Sequence, residues 1–180
     1  MGGERSIVYT LGHSNRSLEE LLSIIKALGA EVVVDVRRWP TSRKYPWFSS
    51  ESLRGALASV GVRYLWMGGP LGGYRRFGVD VEDTGGASCF ESQGFRAYAL
   101  YLTSNPEAFK AMERLEDIAE RYNVVILCSE RLPWRCHRKI ISDWLVLKGF
   151  KVIHIIEPGR RVEHKPSPCA RLVGGRVVYV

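Results

Sequence analysis

The 180-residue chain is short of side-chain amides, with a single Gln (Gln93) and three Asn against abundant Arg. That balance is the one expected of a heat-adapted, thermostable protein. Long apolar runs are absent. The longest stretches, Glu31 to Val36 and Asn123 to Cys128, fall far below the roughly 20 residues that cross a bilayer. The Met1-Gly-Gly-Glu-Arg start has no apolar signal core, so a soluble, cytoplasmic chain with no membrane partner is expected. Nucleotide fingerprints are also missing. The Gly12 turn reads T-L-G-H-S-N, without G-x-G-x-x-G, and no G-x-x-x-x-G-K-[ST] occurs, which argues against dinucleotide and Walker-type sites; no cofactor is expected. The four cysteines, at 89, 128, 136 and 169, fit neither a paired secreted framework nor a C-x-x-C zinc ribbon. A reduced chain is the default. If a heat-adapted protein of this kind forms a disulfide, Cys128 with Cys136 is the pair to suspect.

What is present reads as one globular unit. Hydrophobic residues make up 46% and charged residues 25%, near the globular average, and the length suits a single domain over 1–180. Ser6 to Leu11 reads as a buried strand, after which Ser17-Leu-Glu-Glu20 forms a capping box for a helix ended by Gly29. Glu31 to Val36 has the continuous β-branched character of a parallel strand buried on both faces. A helix from Ser49 or Ser50 to Gly61 and a strand over Val62 to Met67 follow. An irregular Gly-rich insertion spans about 68–94. Helices are predicted over Phe95 to Leu102, over Pro106 to Tyr122 with Asn105 as N-cap, and from Pro133 to Lys148. Strands are predicted over Asn123 to Cys128 and Phe150 to Ile156. Gly174-Gly175, between two β-rich runs at about 170–180, marks a hairpin. The fold class is therefore α/β, a mostly parallel, doubly wound sheet with a C-terminal β-hairpin.

In such sheets ligands bind beyond the carboxyl ends of the strands, where this chain is unusually polar. His13, Ser14, Asn15 and Arg16 follow the first strand, Asp35, Arg37 and Arg38 end the second, and Cys128, Glu130 and Arg131 end the fourth. Strand alternation sets Asp35 and Arg37 on one face. Asp35, inside an apolar run, needs a partner such as Arg37 or His13. Ser14 and Asn15 either help the amides at the first helix start bind a small anion or merely cap a turn. His137 sits on the sheet-facing stripe of its helix near Cys128 and Glu130, and an oriented Glu130–His137 pair is expected there. Cys128, between a strand and a helix start flanked by arginines, has the setting of an activated thiol, with an inert buried thiol as the alternative. The strand-loop-helix resembles that of cysteine phosphatases and rhodaneses, but Arg131 and Arg135 do not match the phosphatase spacing.

The segments T-L-G-H-S-N-R-S-L-E-E-L, V-D-V-R-R-W-P-T-S and C-S-E-R-x-x-x-x-C-H-R, with the tail H-K-P-S-P-C-A-R-L-V-G-G-R-V-V-Y, resemble the domain-of-unknown-function family 488. The resemblance implies a single α/β domain and shared polar positions at His13, Ser14, Asp35, Arg37, Pro40, Cys128, Glu130, Cys136, His137, Arg138, His164 and Arg171. It supplies no reaction.

Charge is uneven along the chain. Residues 36–76 carry 8 basic side chains against 1 acidic, and 124–180 carry 11 against 4, around a segment with 4 against 9. An anionic partner is expected. The first functional expectation is an enzyme, a hydrolase or transferase, acting on a phosphate-bearing substrate such as a nucleotide or nucleic acid. In it His13, Asp35, Cys128, Glu130 and His137 carry the chemistry, while Ser14, Asn15, Arg37, Arg38, Arg131 and Arg138 hold the anion. The alternative is a nucleic-acid-binding module in which the basic blocks contact phosphates and Trp39, Tyr45, Trp47 and Phe48 stack on bases, unless those rings only seal the core edge. A metal site from His13, Cys128, Cys136 and His137 is disfavoured, because adjacent residues of a helix point apart.

Overall fold

The computed structural model describes residues 6–180. Strands β1 (Ile7–Gly12), β2 (Val32–Asp35), β3 (Arg63–Trp66), β4 (Val124–Cys128), β5 (Lys151–Glu157) and β6 (Arg160–Glu163) form one sheet in the order β3-β2-β4-β1-β5-β6. The first five are parallel; β6, which the sequence pattern did not reveal, runs antiparallel to β5 at the edge. Its four residues are all exposed, so no burial pattern marks it. A separate hairpin, β7 (Ala170–Val173) and β8 (Arg176–Tyr179), turns at Gly174 and Gly175, both at positive φ (57° and 78°). This is the turn that glycine pairs permit.

Helices cover both faces, as expected of a doubly wound sheet. On one face α1 (Leu18–Ala27) and α2 (Ser50–Ser59) bury Leu21, Ile25, Leu53 and Leu57 against Val33, Val125 and Leu127. On the other, α4 (Gln93–Ser104), α5 (Pro106–Arg121) and α6 (Arg138–Leu147) pack Tyr98, Met112, Leu115 and Ile141 against Val34, Ile126 and Val152. The caps read from sequence form. The Ser17 side chain accepts from the Glu20 amide at 3.1 Å, and the Asn105 side chain accepts from the amides of Glu107 and Ala108. The Gly-rich insertion contains only a short helix, α3 (Gly68–Leu71), before α4.

The helix expected from Pro133 is broken. Pro133–Arg135 is a single 3₁₀ turn, Cys136 is extended (φ −130°, ψ 146°), and α6 proper begins at Arg138 with His137 as its N-cap. The disulfide expectation also needs correcting. Cys89, in the insertion, is bonded to Cys169, just before β7, with Cα atoms 5.6 Å apart, while Cys128 and Cys136 are free and buried. An 80-residue separation gives no local sign of such a pair.

Candidate functional site

The chain leaving β1 enters α1 on one face of the sheet, and the chain leaving neighbouring β4 enters α6 on the other. Between them lies the topological switch point, where open α/β sheets bind ligands. The two loops continue the pairing of their strands: the His13 amide donates to Cys128 O and the Ser14 amide to Ser129 O, both at 2.9 Å. Their approach is so close that a Cβ on Gly12 would lie 1.8 Å from Glu130 O. Those two amides are therefore occupied and do not form the anion site considered for the first helix start.

A pocket of about 590 Å³ opens beside this junction. Of the predicted site residues it gathers His13, Arg37, Arg38, Cys128, Glu130 and His137. Ser14 and Asn15 line an adjoining cleft with His13, Lys44 and Glu130. Asp35 lies behind Arg37, fully buried, where it accepts from the Arg37 amide (3.0 Å), Nε (2.9 Å) and Nη2 (2.7 Å) and from the Tyr64 hydroxyl (2.5 Å). Burial alone would pull the Arg37 pKa down, but the bonded Asp35 carboxylate outweighs it and the net shift is upward. Arg37 Nη1 lies 3.3 Å from His13 Nε2, and His13 Nδ1 lies 2.9 Å from Ser14 O. A carbonyl only accepts, so Nδ1 carries the proton and Nε2 faces the guanidinium as acceptor. Burial lowers the His13 pKa to about 4. The ring, stacked on Phe48 with centroids 4.5 Å apart, is neutral and holds Arg37 in place.

The arginines divide differently from the expected clamp. Arg138, fully buried, donates from Nε to Thr10 Oγ1 and from its terminal nitrogens to Glu130 O and Arg131 O. It fastens the β4–α6 loop from beneath and offers nothing to a ligand. Arg131 turns outward to Asn15 Oδ1 (3.2 Å) and Glu157 (3.7 Å). Among the described residues the arginines lining the pocket are Arg37, Arg38 and Arg135; Arg135, which is not one of the expected anion-holding residues, lies on the 3₁₀ turn that precedes Cys136. Nor does the expected Glu130–His137 pair form. Glu130 Oε1 accepts from the Leu132 amide at 3.2 Å, whereas His137 Nε2 donates to Val36 O at 3.1 Å and presents Nδ1 to Cys136 Sγ at 3.8 Å.

The break at Cys136 matters here. Being extended rather than helical, Cys136 converges with its neighbour, and the donor atoms of Cys128, Cys136 and His137 all lie within 4.8 Å of one another. The objection that adjacent residues of a helix diverge no longer applies, although His13 stays apart from the group. The neighbouring Cys136 thiol, and after it burial, pushes the thiol of Cys128, the expected reactive residue, well above its ordinary range. Cys136 is pulled below its ordinary range by Cys128 and, against its own burial, by His137. The pair is thus not a disulfide, and Cys128 lacks the lowered pKa of an activated thiol.

Above this floor the mouth is aromatic and cationic. Trp39 and Tyr74, 59% and 77% exposed, stand 5.5 Å apart, with the Arg38 guanidinium 5.1 Å over Trp39. Phe48 is fully buried, and Tyr45 and Trp47 pack against it, so these three mainly seal the core edge.

Fold and site together define an α/β protein with a pocket at the carboxyl ends of its central strands. The chain belongs to the family described as Domain of unknown function DUF488, whose model matches residues 17–145. His13 and the C-terminal tail lie outside that match. No curated protein and no solved structure matches the chain. Among the described residues no helix is long and apolar enough to cross a membrane.

Proposed function

We propose that this protein is an enzyme acting on a phosphate-bearing substrate, a nucleotide or nucleic-acid end, bound in the switch-point pocket. The observation that carries the reading is the charge of the lining, which among the described residues sets Arg37, Arg38 and Arg135 against one carboxylate, Glu130. Arg38 and Arg135 are the anion-holding groups, and Arg37, held by Asp35 and His13, adds a fixed cation to the same lining. Glu130, half-buried with one oxygen held by the Leu132 amide, is the acid/base group.

The test is a turnover screen of phosphorylated metabolites, nucleotides and oligonucleotides. Arg38→Ala and Arg135→Ala are expected to raise KM or Kd by about tenfold each, a loss of roughly 1.4 kcal/mol. Glu130→Gln is expected to keep binding and melting temperature and to lose turnover. A wild-type protein that neither binds nor converts any member of the screen removes this reading.

The exposed Trp39–Tyr74 pair under Arg38 favours a second reading, a nucleic-acid-binding module that stacks bases at the pocket mouth. Single-strand affinity should then fall steeply with salt and drop in Trp39→Ala and Tyr74→Ala. Affinity that is flat with salt, or unchanged in both variants, rejects it.

A further inference from the structure

We propose that Cys128, Cys136 and His137 form a binding site for a thiophilic divalent cation, zinc by its donor set, with one coordination position open to the pocket. Two sulfurs and one imidazole nitrogen are donors characteristic of zinc. In a tetrahedral site with ordinary zinc bond lengths, neighbouring donors stand roughly 3.6–3.8 Å apart. The Cys136 Sγ to His137 Nδ1 distance is already 3.8 Å, and no pair in the group exceeds 4.8 Å. Small movements of the thiol side chains therefore close the site.

Three further features fit a metal. Nε2 of His137 is fixed to Val36 O at 3.1 Å, and a metal-ligating histidine ordinarily anchors its second nitrogen in this way, freeing Nδ1 for the ion. Tyr98, edge-on to the His137 ring with centroids 5.0 Å apart, directs its hydroxyl to Leu71 O at 2.7 Å and does not compete for Nδ1. Gly73 leaves open the space beside Nδ1: a Cβ there would come within 2.9 Å of that nitrogen and 3.1 Å of the adjacent ring carbon.

Three protein donors with a fourth position facing a cavity is the pattern of catalytic rather than structural zinc. All three donors line the pocket that Arg38 and Arg135 also line. A bound ion there would act as a Lewis acid on a phosphoryl oxygen. This use, though not the site itself, rests on the proposed function.

The test is anaerobic titration of the chelator-treated full chain with Co²⁺, its Cys89–Cys169 bond intact. The expected result is one ion per chain, with a thiolate-to-cobalt charge-transfer band and the intense visible bands of a tetrahedral site. Cys136→Ser and His137→Gln should weaken binding by more than the roughly 100-fold attached to losing an outer-shell partner. Gly73→Ala, which removes no donor, should also abolish the bands. Because core variants can unfold, alkylation of the wild type supplies a second readout: Zn²⁺ should protect Cys128 and Cys136 from labelling. A folded wild type without the charge-transfer band, or bands that survive in Cys136→Ser, overturns the site. Added inorganic phosphate should shift the visible bands; bands that stay fixed overturn the Lewis-acid use while leaving the site intact. Nucleotide binding by the metal-free protein, compared between wild type and Arg38→Ala, judges the proposed function separately.

Discussion

Gly12 and Gly55 place opposite demands on the same residue type. A Cβ at Gly12 meets the backbone of Glu130 at 1.8 Å, whereas one at Gly55, inside α2, meets nothing within 4 Å. Gly12→Ala should destabilise the fold by about 3 kcal/mol, since the β1 and β4 loops must separate, and Gly55→Ala should stabilise it by about 0.5–1 kcal/mol through helix propensity. Urea denaturation of the two variants beside the parent checks both signs. At this scale legibility followed local chemistry. Asp35 announced its need for a partner because a carboxylate in a β-branched run must be compensated, and Arg37 supplies it. The convergence of Cys136 with Cys128 and His137 was not readable, because it comes from an extended φ/ψ between a 3₁₀ turn and a helix, which no side-chain pattern encodes. Arg138 looked like a ligand-binding arginine because its sequence neighbours are site residues. Only the fold reveals that it points beneath the loop.

Among the elements, β1, α6, β5, the segment after β6 and the terminal hairpin are joined by one chain of hydrogen bonds. Arg138 Nε donates to Thr10 Oγ1, which lies 2.5 Å from His154 Nδ1; His154 Nε2 is 2.8 Å from His164 Nδ1, and His164 Nε2 is 2.7 Å from Asp143 Oδ1. The Ser167 amide and the Tyr179 hydroxyl complete the shell of Asp143. Here His164, a family-like motif position, proves to be a brace and does not line the pocket. Burial, then His164 and Arg138, lowers the His154 pKa to about 3 from 6.5. A depressed histidine stabilises the fold fully above the unfolded value near 6.5 and loses that contribution as pH falls toward the folded value, because the unfolded chain binds the proton more tightly. Folding stability should therefore decline below pH 6.5, with His154 contributing about 1.4 kcal/mol per pH unit. In His154→Gln, less stable at pH 7, the slope should be shallower by that one proton. Denaturation at pH 7, 6 and 5 measures it, and equal slopes in parent and variant would reject the assignment. Caps and strand alternation made most elements readable. Exposed β6 and the break at Cys136 were not, since neither has a periodic apolar face.

For the whole molecule, the parallel α/β order and the hairpin were readable from alternating periodicities and glycine pairs, but the covalent closure between Cys89 and Cys169 was not. Closing a loop of this length stabilises a fold by about 3–5 kcal/mol on chain-entropy grounds. The Cys89→Ser/Cys169→Ser double variant should lose stability of that order in a urea titration while keeping the free thiols at Cys128 and Cys136. Non-reducing peptide mapping should recover the 89–169 cross-link, and a map showing four free thiols would contradict it.

That cross-link also makes residues 89–169 a covalent circle that includes α4, α5, β4, α6, β5 and β6, with the chain before Cys89 and the tail from Ala170 as its two arms. The exposed β5–β6 turn at Pro158 and Gly159 lies on this circle. A protease that cuts there severs the polypeptide without releasing either piece, and the nicked protein runs as a single species on a gel until a reductant opens the ring.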